Sequence, residues 1–167
     1  MAMTARVRKL ALAVHITLSV GWIGAVAAYI ALDVAAATGH EPQALRSAYL
    51  GMDHIARHVI VPLALASLLT GLIMSLGTSW GLIRHYWVVI SFVLTLIAVG
   101  VLVAETRVIR SFADVAADPE ASGADLRALG NTLPHSIGGT LVLLVVLVLN
   151  IYKPQGMTRY GRRTLRG

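Results

Sequence analysis

Apolar residues fall into four blocks, over residues 10–32, 59–76, 87–104 and 133–151, and polar stretches rich in turn formers separate them. Each block approaches or exceeds the roughly 18 apolar residues that mark a membrane-spanning helix, since about 20 residues at 1.5 Å rise cross the hydrocarbon. With their boundary residues, the predicted spans run over about 10–32, 57–76, 85–106 and 133–152. The longest connection, over residues 107–132, is too short for a soluble folding unit. The pattern therefore predicts an all-α fold, an integral membrane four-helix bundle, with residues 1–167 as one domain.

Composition agrees: 57% of the residues are hydrophobic and 13% charged, against about 25% charged in ordinary soluble proteins. Arg6, Arg8 and Lys9 precede the first block as in a signal peptide. A signal core is only about 7–15 residues long, so the longer run is read as a retained first span. The sequence contains no cysteine, which leaves His, carboxylate, Met or Tyr as metal ligands and excludes c-type haem attachment. Nine of the fourteen Lys and Arg residues would share one side: Arg6, Arg8, Lys9, Arg84, Lys153, Arg159, Arg162, Arg163 and Arg166. All the acidic residues fall on the other. By the positive-inside rule both termini are cytoplasmic, in a multi-pass protein of a bacterial-type inner membrane. The basic tail then suits anionic lipid headgroups of the bilayer, not nucleic acid.

The connection around Gly77, Thr78, Ser79, Trp80 and Gly81 is short, which favours antiparallel packing of the second and third spans. The two outer connections, 33–53 and 107–132, read as polar loops, with His40 solvated and a short interfacial helix near Leu126 and Leu129. On the first span His15, Ser19, Trp22, Val26, Tyr29 and Asp33 follow steps of three or four and form a stripe for the bundle interior.

Each apolar block also has a histidine near its N-terminal end: His15, His58, His85 and His135. Because successive spans alternate in direction, His58 and His135 pair toward the outer face, and His15 and His85 toward the inner. Buried imidazoles usually have partners, so the pairs are candidate haem or metal ligands. His54 and His58 share a helical face at i,i+4 beside Arg57, and Pro62 frees the His58 carbonyl of its usual partner. His85, between Arg84 and Tyr86–Trp87, also fits an ordinary interfacial belt. His135 follows Pro134 in the first turn, with Gly138 and Gly139 on or next to its face. Those glycines would admit a flat ring, or serve helix packing.

The outer pair matches better in depth. It predicts one haem b between His58 and His135 along Gly139, with Arg57 or Arg107 at the propionates, and the inner pair offers a less well matched second haem. Glu105 is expected to pair with Arg57 or Arg107. The corresponding function is membrane electron transfer or haem-linked redox chemistry, as an oxidoreductase or with a quinone or protein redox partner; no catalytic residue is assigned. A rival reading has copper or zinc at His54, His58, His135 and His15, with Glu105. A third has a cofactor-free structural subunit.

The run His15, Ser19, Gly21, Trp22, Gly24 resembles the opening of small membrane proteins related to the copper-resistance D domain, and of the membrane protoporphyrinogen oxidase family. Arg57, Pro62, Thr70, Gly71 and Leu72 resemble the second span of these groups. The resemblance covers the first two spans and matches His15 to the first-span histidine. It implies haem-linked redox chemistry in one branch and copper handling in the other. The chain departs from the copper branch in lacking a Met-rich or cysteine motif.

Overall fold

All four apolar blocks fold as helices, and the helices continue well beyond the lengths that hydropathy assigns. The computed structural model describes residues 3–78 and 80–163; Ser79 and Arg166, used above for the inner connection and the tail, lie outside them. Helix α1 (Ala5–Thr38) has 34 residues and starts at an N-cap where the Thr4 hydroxyl accepts from the Val7 N–H. Its length is about 50 Å at 1.5 Å per residue, against about 30 Å of hydrocarbon. Helix α2 (Pro42–Ile55), a π-helical turn (Ala56–Ile60) and α3 (Val61–Gly77) form one continuous rod of 36 residues. Helix α4 (Tyr86–Ala117) has 32 residues, and α6 (Leu133–Tyr152), with 20, matches the bilayer. Short helices α5 (Gly123–Ala128) and α7 (Arg159–Arg163) complete the described residues, which contain no strand.

The first outer connection is thus corrected from a polar loop to three residues, Gly39, His40 and Glu41, between two helices. Pro42 suits a first helical turn, where its missing N–H costs nothing. Leu45, Ala48, Tyr49 and Met52 then recur at i, i+3, i+4 and i+7, and all four are buried. Their stripe passes through the π turn as Ala56 and Ile60 and continues as Ala64 and Ser67. The π turn has a local cause. Pro62 has no N–H for the His58 carbonyl, and the preceding Val61 N–H reaches back five residues to the Ala56 carbonyl.

The spans pack as a ring in which α1 contacts α3, α3 contacts α4, α4 contacts α6, and α6 returns to α1. Neighbours are antiparallel throughout. The predicted stripe on α1 faces inward: Trp22, Val26, Tyr29 and Asp33 are buried, while Leu10, Ile16, Leu69, Leu96, Leu141 and Val148 are exposed on the outside. Only 6% of the most apolar window of α6 and 11% of that of α1 are covered by protein. Four such helices make this a multi-pass membrane protein.

Each end of the ring is closed by polar contacts. At one end the Met3 N–H bonds the Gly77 carbonyl, the Tyr86 N–H bonds Gly156, and the Thr158 N–H bonds Arg84, so both terminal segments meet the α3–α4 connection. Lys153 lies over the Trp80 ring, 5.3 Å from its centroid. At the other end α2 lies across α1 and α4, and Arg46 donates to the carbonyls of Ala116, at 2.8 Å, Asp118 and Ala121. This places a guanidinium at the negative end of α4 and satisfies carbonyls that the helix leaves open. Helix α5 starts with a capping box in which Ser122 and Asp125 bond each other's backbone N–H. The Ser122 hydroxyl, 2.7 Å from the Asp125 Oδ2, and then the Ser122 N–H hold the Asp125 carboxyl below its ordinary pKa.

Arg46→Met keeps the apolar stem but removes the donors. It should cost about 1.5–3 kcal/mol, the range for hydrogen bonds from a charged group, and reduce amide-exchange protection at the end of α4. Unchanged protection there would show that Arg46 does not hold the helix end.

Candidate functional site

The carboxylate of Asp33 is fully buried between α1 and the start of α6. Its Oδ1 accepts the Thr132 N–H at 3.2 Å, and its Oδ2 accepts the hydroxyls of Thr132 at 2.8 Å and Ser136 at 3.3 Å. Thr132 is the N-cap residue of α6 but does not cap with its own side chain. Asp33 supplies that cap from another helix, at the positive end of the α6 dipole. One turn earlier on α1, the Tyr29 hydroxyl lies 2.7 Å from the Thr132 Oγ1. Since the hydrogen of Thr132 goes to Asp33, Tyr29 is the donor in that contact.

Beside this network a cleft of about 340 Å3 opens between α4 and α6, within the size range of small-ligand sites. Trp22, Val26 and Tyr29 of α1, with Ala56 and Ile60 of the π turn, form its floor. Ile97 and Val101 on one side are also exposed on the outer surface, so the cleft is open laterally toward the lipid. A Cβ added at Gly138 or Gly139 would meet nothing within 4 Å. The glycines of α6 therefore face open space rather than a packed neighbouring helix. At the polar end Glu105 Oε1 lies 3.6 Å from His135 Nε2, joining α4 to α6.

Of the candidate site residues singled out from sequence, Glu105, His135, Gly138 and Gly139 line this cleft; His15, His54, Arg57, His58 and His85 do not. His58 is exposed, its Nδ1 is 3.1 Å from the His54 carbonyl, and its ring stacks on that of His54 with centroids 4.5 Å apart. The reason is helical: Ala56 and Ile60 take the inward positions of the π turn, which turns Arg57 and His58 outward. Arg57 pairs with Asp53 at 3.5 Å, so Glu105 has His135 as its partner in place of the expected arginines. His15 lies against Gly71 of α3, with Nδ1 2.9 Å from the Thr70 hydroxyl, and the adjacent Ser19 and Ser67 hydroxyls are 2.8 Å apart. His85 is the N-cap residue of α4, with Nδ1 2.7 Å from the Trp80 carbonyl.

The expected pairs, His58 with His135 and His15 with His85, are thus engaged elsewhere, and the residues present do not fit a haem clamped between two imidazoles. No group of three or more His, Cys, Asp or Glu able to hold a metal ion is found among the described residues. Of the residues that build the polar end, Glu105 was named from sequence, in the metal reading and as the partner of an arginine, whereas Asp33, Thr132 and Ser136 were not assigned to a site. The legible sign was an aspartate ending the inward stripe of α1, with Thr132 and Pro134 marking a helix start.

Fold and site together define a multi-pass helical bundle with a lateral, largely apolar cleft that has a polar end. In comparisons with known proteins, no family model, no curated protein and no solved structure matches the chain.

Asp33→Ala leaves the Thr132 N–H and hydroxyl without their acceptor and Ser136 with the Leu133 carbonyl alone. It should cost about 2–3 kcal/mol in thermal unfolding, with a smaller loss for Asn, whose carbonyl oxygen still accepts. Equal stability of the alanine variant and the parent would refute the capping role. Gly138→Ala, which meets only open space, should instead raise stability by about 0.5–1 kcal/mol through helix propensity. A clear loss of stability would mean that the glycine serves packing.

Proposed function

We propose that this protein holds a flat, lipid-soluble ring molecule of the quinone class in the α4–α6 cleft, as a component of membrane redox chemistry. The observation that carries the reading is the open face of Gly138 and Gly139 beside the Glu105–His135 pair. A ring would lie against the glycines, its polar substituents would reach the polar end, and its hydrocarbon tail would leave past Ile97 and Val101 into lipid. The proposed setting is a bacterial-type inner membrane, with the shared basic end of the bundle in the cytoplasm. Arg6, Arg8, Lys9, Arg84, Lys153, Arg159, Arg162 and Arg163 support that orientation.

Haem b is the second reading, favoured by the imidazole of His135 next to the same glycine face. It would bind in the cleft with His135 as its one histidine ligand and would supply a one-electron centre. For either molecule this chain contributes an apolar slot, a glycine wall and polar groups at one end.

The deciding experiment is an optical spectrum of the purified protein with and without reductant, joined to analysis of an organic extract. The expected result is a co-purifying quinone-class lipid, lost in Gly139→Leu, which fills the slot while the protein stays folded. A Soret band that disappears in His135→Ala would favour haem. No bound ring and no binding of added decylubiquinone in its oxidised or reduced form would overturn both readings.

A further inference from the structure

The direction of the hydrogen bonds at the polar end tells which chemical form of such a molecule the cleft accepts. Four hydroxyls line it, and each gives its hydrogen to the protein. Thr132 donates to Asp33, Tyr29 to Thr132, Thr106 to the Val103 carbonyl at 2.7 Å, and Ser136 to Asp33 and the Leu133 carbonyl at 3.3 and 3.2 Å. The start of α6 adds no free backbone donor. Its Thr132 N–H goes to Asp33, the Leu133 N–H to the Asn131 side chain, and the His135 and Ser136 N–H groups to the Thr132 carbonyl. Pro134 has none.

What faces a ligand here is therefore mainly oxygen lone pairs: those of Tyr29, Thr106 and Ser136 and the carboxylate of Glu105. His135 is the nearby side chain able to donate, and the Trp22 indole N–H lies two turns deeper on α1 than Tyr29. The buried Asp33 sets this polarity for three of the four, because a carboxylate that accepts from both Thr132 and Ser136 leaves Tyr29 to donate to Thr132, while Thr106 is turned by the Val103 carbonyl of its own helix.

Resting on the quinone-class reading above, we propose that the cleft selects the hydroxyl-bearing, reduced form of the ring, a quinol, over the oxidised quinone. A quinol hydroxyl gives its one hydrogen to Glu105 or to Tyr29, whereas a quinone carbonyl brought to the same place sets acceptor against acceptor. A buried acceptor without a donor is costly, so the discrimination is large for a small change in the ligand.

The test compares decylubiquinone with decylubiquinol, under anaerobic conditions, on the full chain in nanodiscs. Binding is read by equilibrium dialysis and by quenching of Trp22 fluorescence, with Trp22→Phe as the signal control. The quinol should bind at least about tenfold more tightly, a difference of about 1.4 kcal/mol. Glu105→Gln, whose amide donates, should narrow or reverse the preference, and Tyr29→Phe should reduce it. Unfolding of each variant is measured in parallel; if Glu105→Gln does not fold, Thr106→Val supplies the second removal of an acceptor. Equal affinity for the two forms, or tighter binding of the quinone, overturns the headgroup assignment while leaving the quinone-class reading standing. Failure of both forms to bind removes that reading and the assignment together.

Discussion

A single buried carboxylate, Asp33, determines where the last span sits. Helix α6 has little apolar burial of its own: Leu143 is its one buried residue, and most of its apolar surface faces outward. In lipid, such a helix gains nothing from hiding leucines, so its position must come from packing and polar contacts. Asp33 supplies these at the N-terminal end of α6 by taking the Thr132 N–H and the hydroxyls of Thr132 and Ser136. At the other end Asn150 donates to the Ser91 hydroxyl of α4 at 3.4 Å and to the Val146 carbonyl at 2.7 Å. The helix is tied near both ends, while its glycine-bearing stretch stands off from α4. The cleft is the space that results.

The C-terminal end of α4, at the same end of the bundle, follows the same logic with the opposite sign. Asp33 occupies the positive end of α6, and Arg46 occupies the negative end of α4. These groups come from neighbouring helices joined by the short turn at Gly39, His40 and Glu41. The α1–α2 corner thus ties both walls of the cleft, and Tyr49 strengthens the corner through an edge contact with Phe112, centroids 5.7 Å apart, and a bond to the Gly130 carbonyl. Rigid walls are what an open lateral slot requires, since an untied α6 would be free to close onto α4.

Much of the framework was legible in the chain. The four spans, the short α3–α4 connection, the inward stripe of α1 and the small helix at Leu126 all follow from apolar periodicity and turn formers. The outer connection was not read as helix, although Leu45, Ala48, Tyr49 and Met52 hold helical spacing, because the polar residues around them suggest a loop when mean hydropathy is followed. The candidate site was legible at His135 and the adjacent glycines. His58 shows the limit of arguing from depth alone: the π turn before Pro62 directs it away from the cleft and onto His54.

What the sequence alone determined is the class of object: helices long and apolar enough to cross a bilayer, an asymmetric distribution of charge, and an inward polar stripe on α1. Hydrophobic periodicity is a property of neighbours along one helix and needs no knowledge of the others. Only the tertiary structure decided which polar groups meet across helices, that Glu105 finds His135 rather than an arginine, and that Gly138 and Gly139 face a void. Those outcomes depend on the rotation and spacing of separate helices, which a few buried hydrogen bonds set and no single stretch of sequence contains.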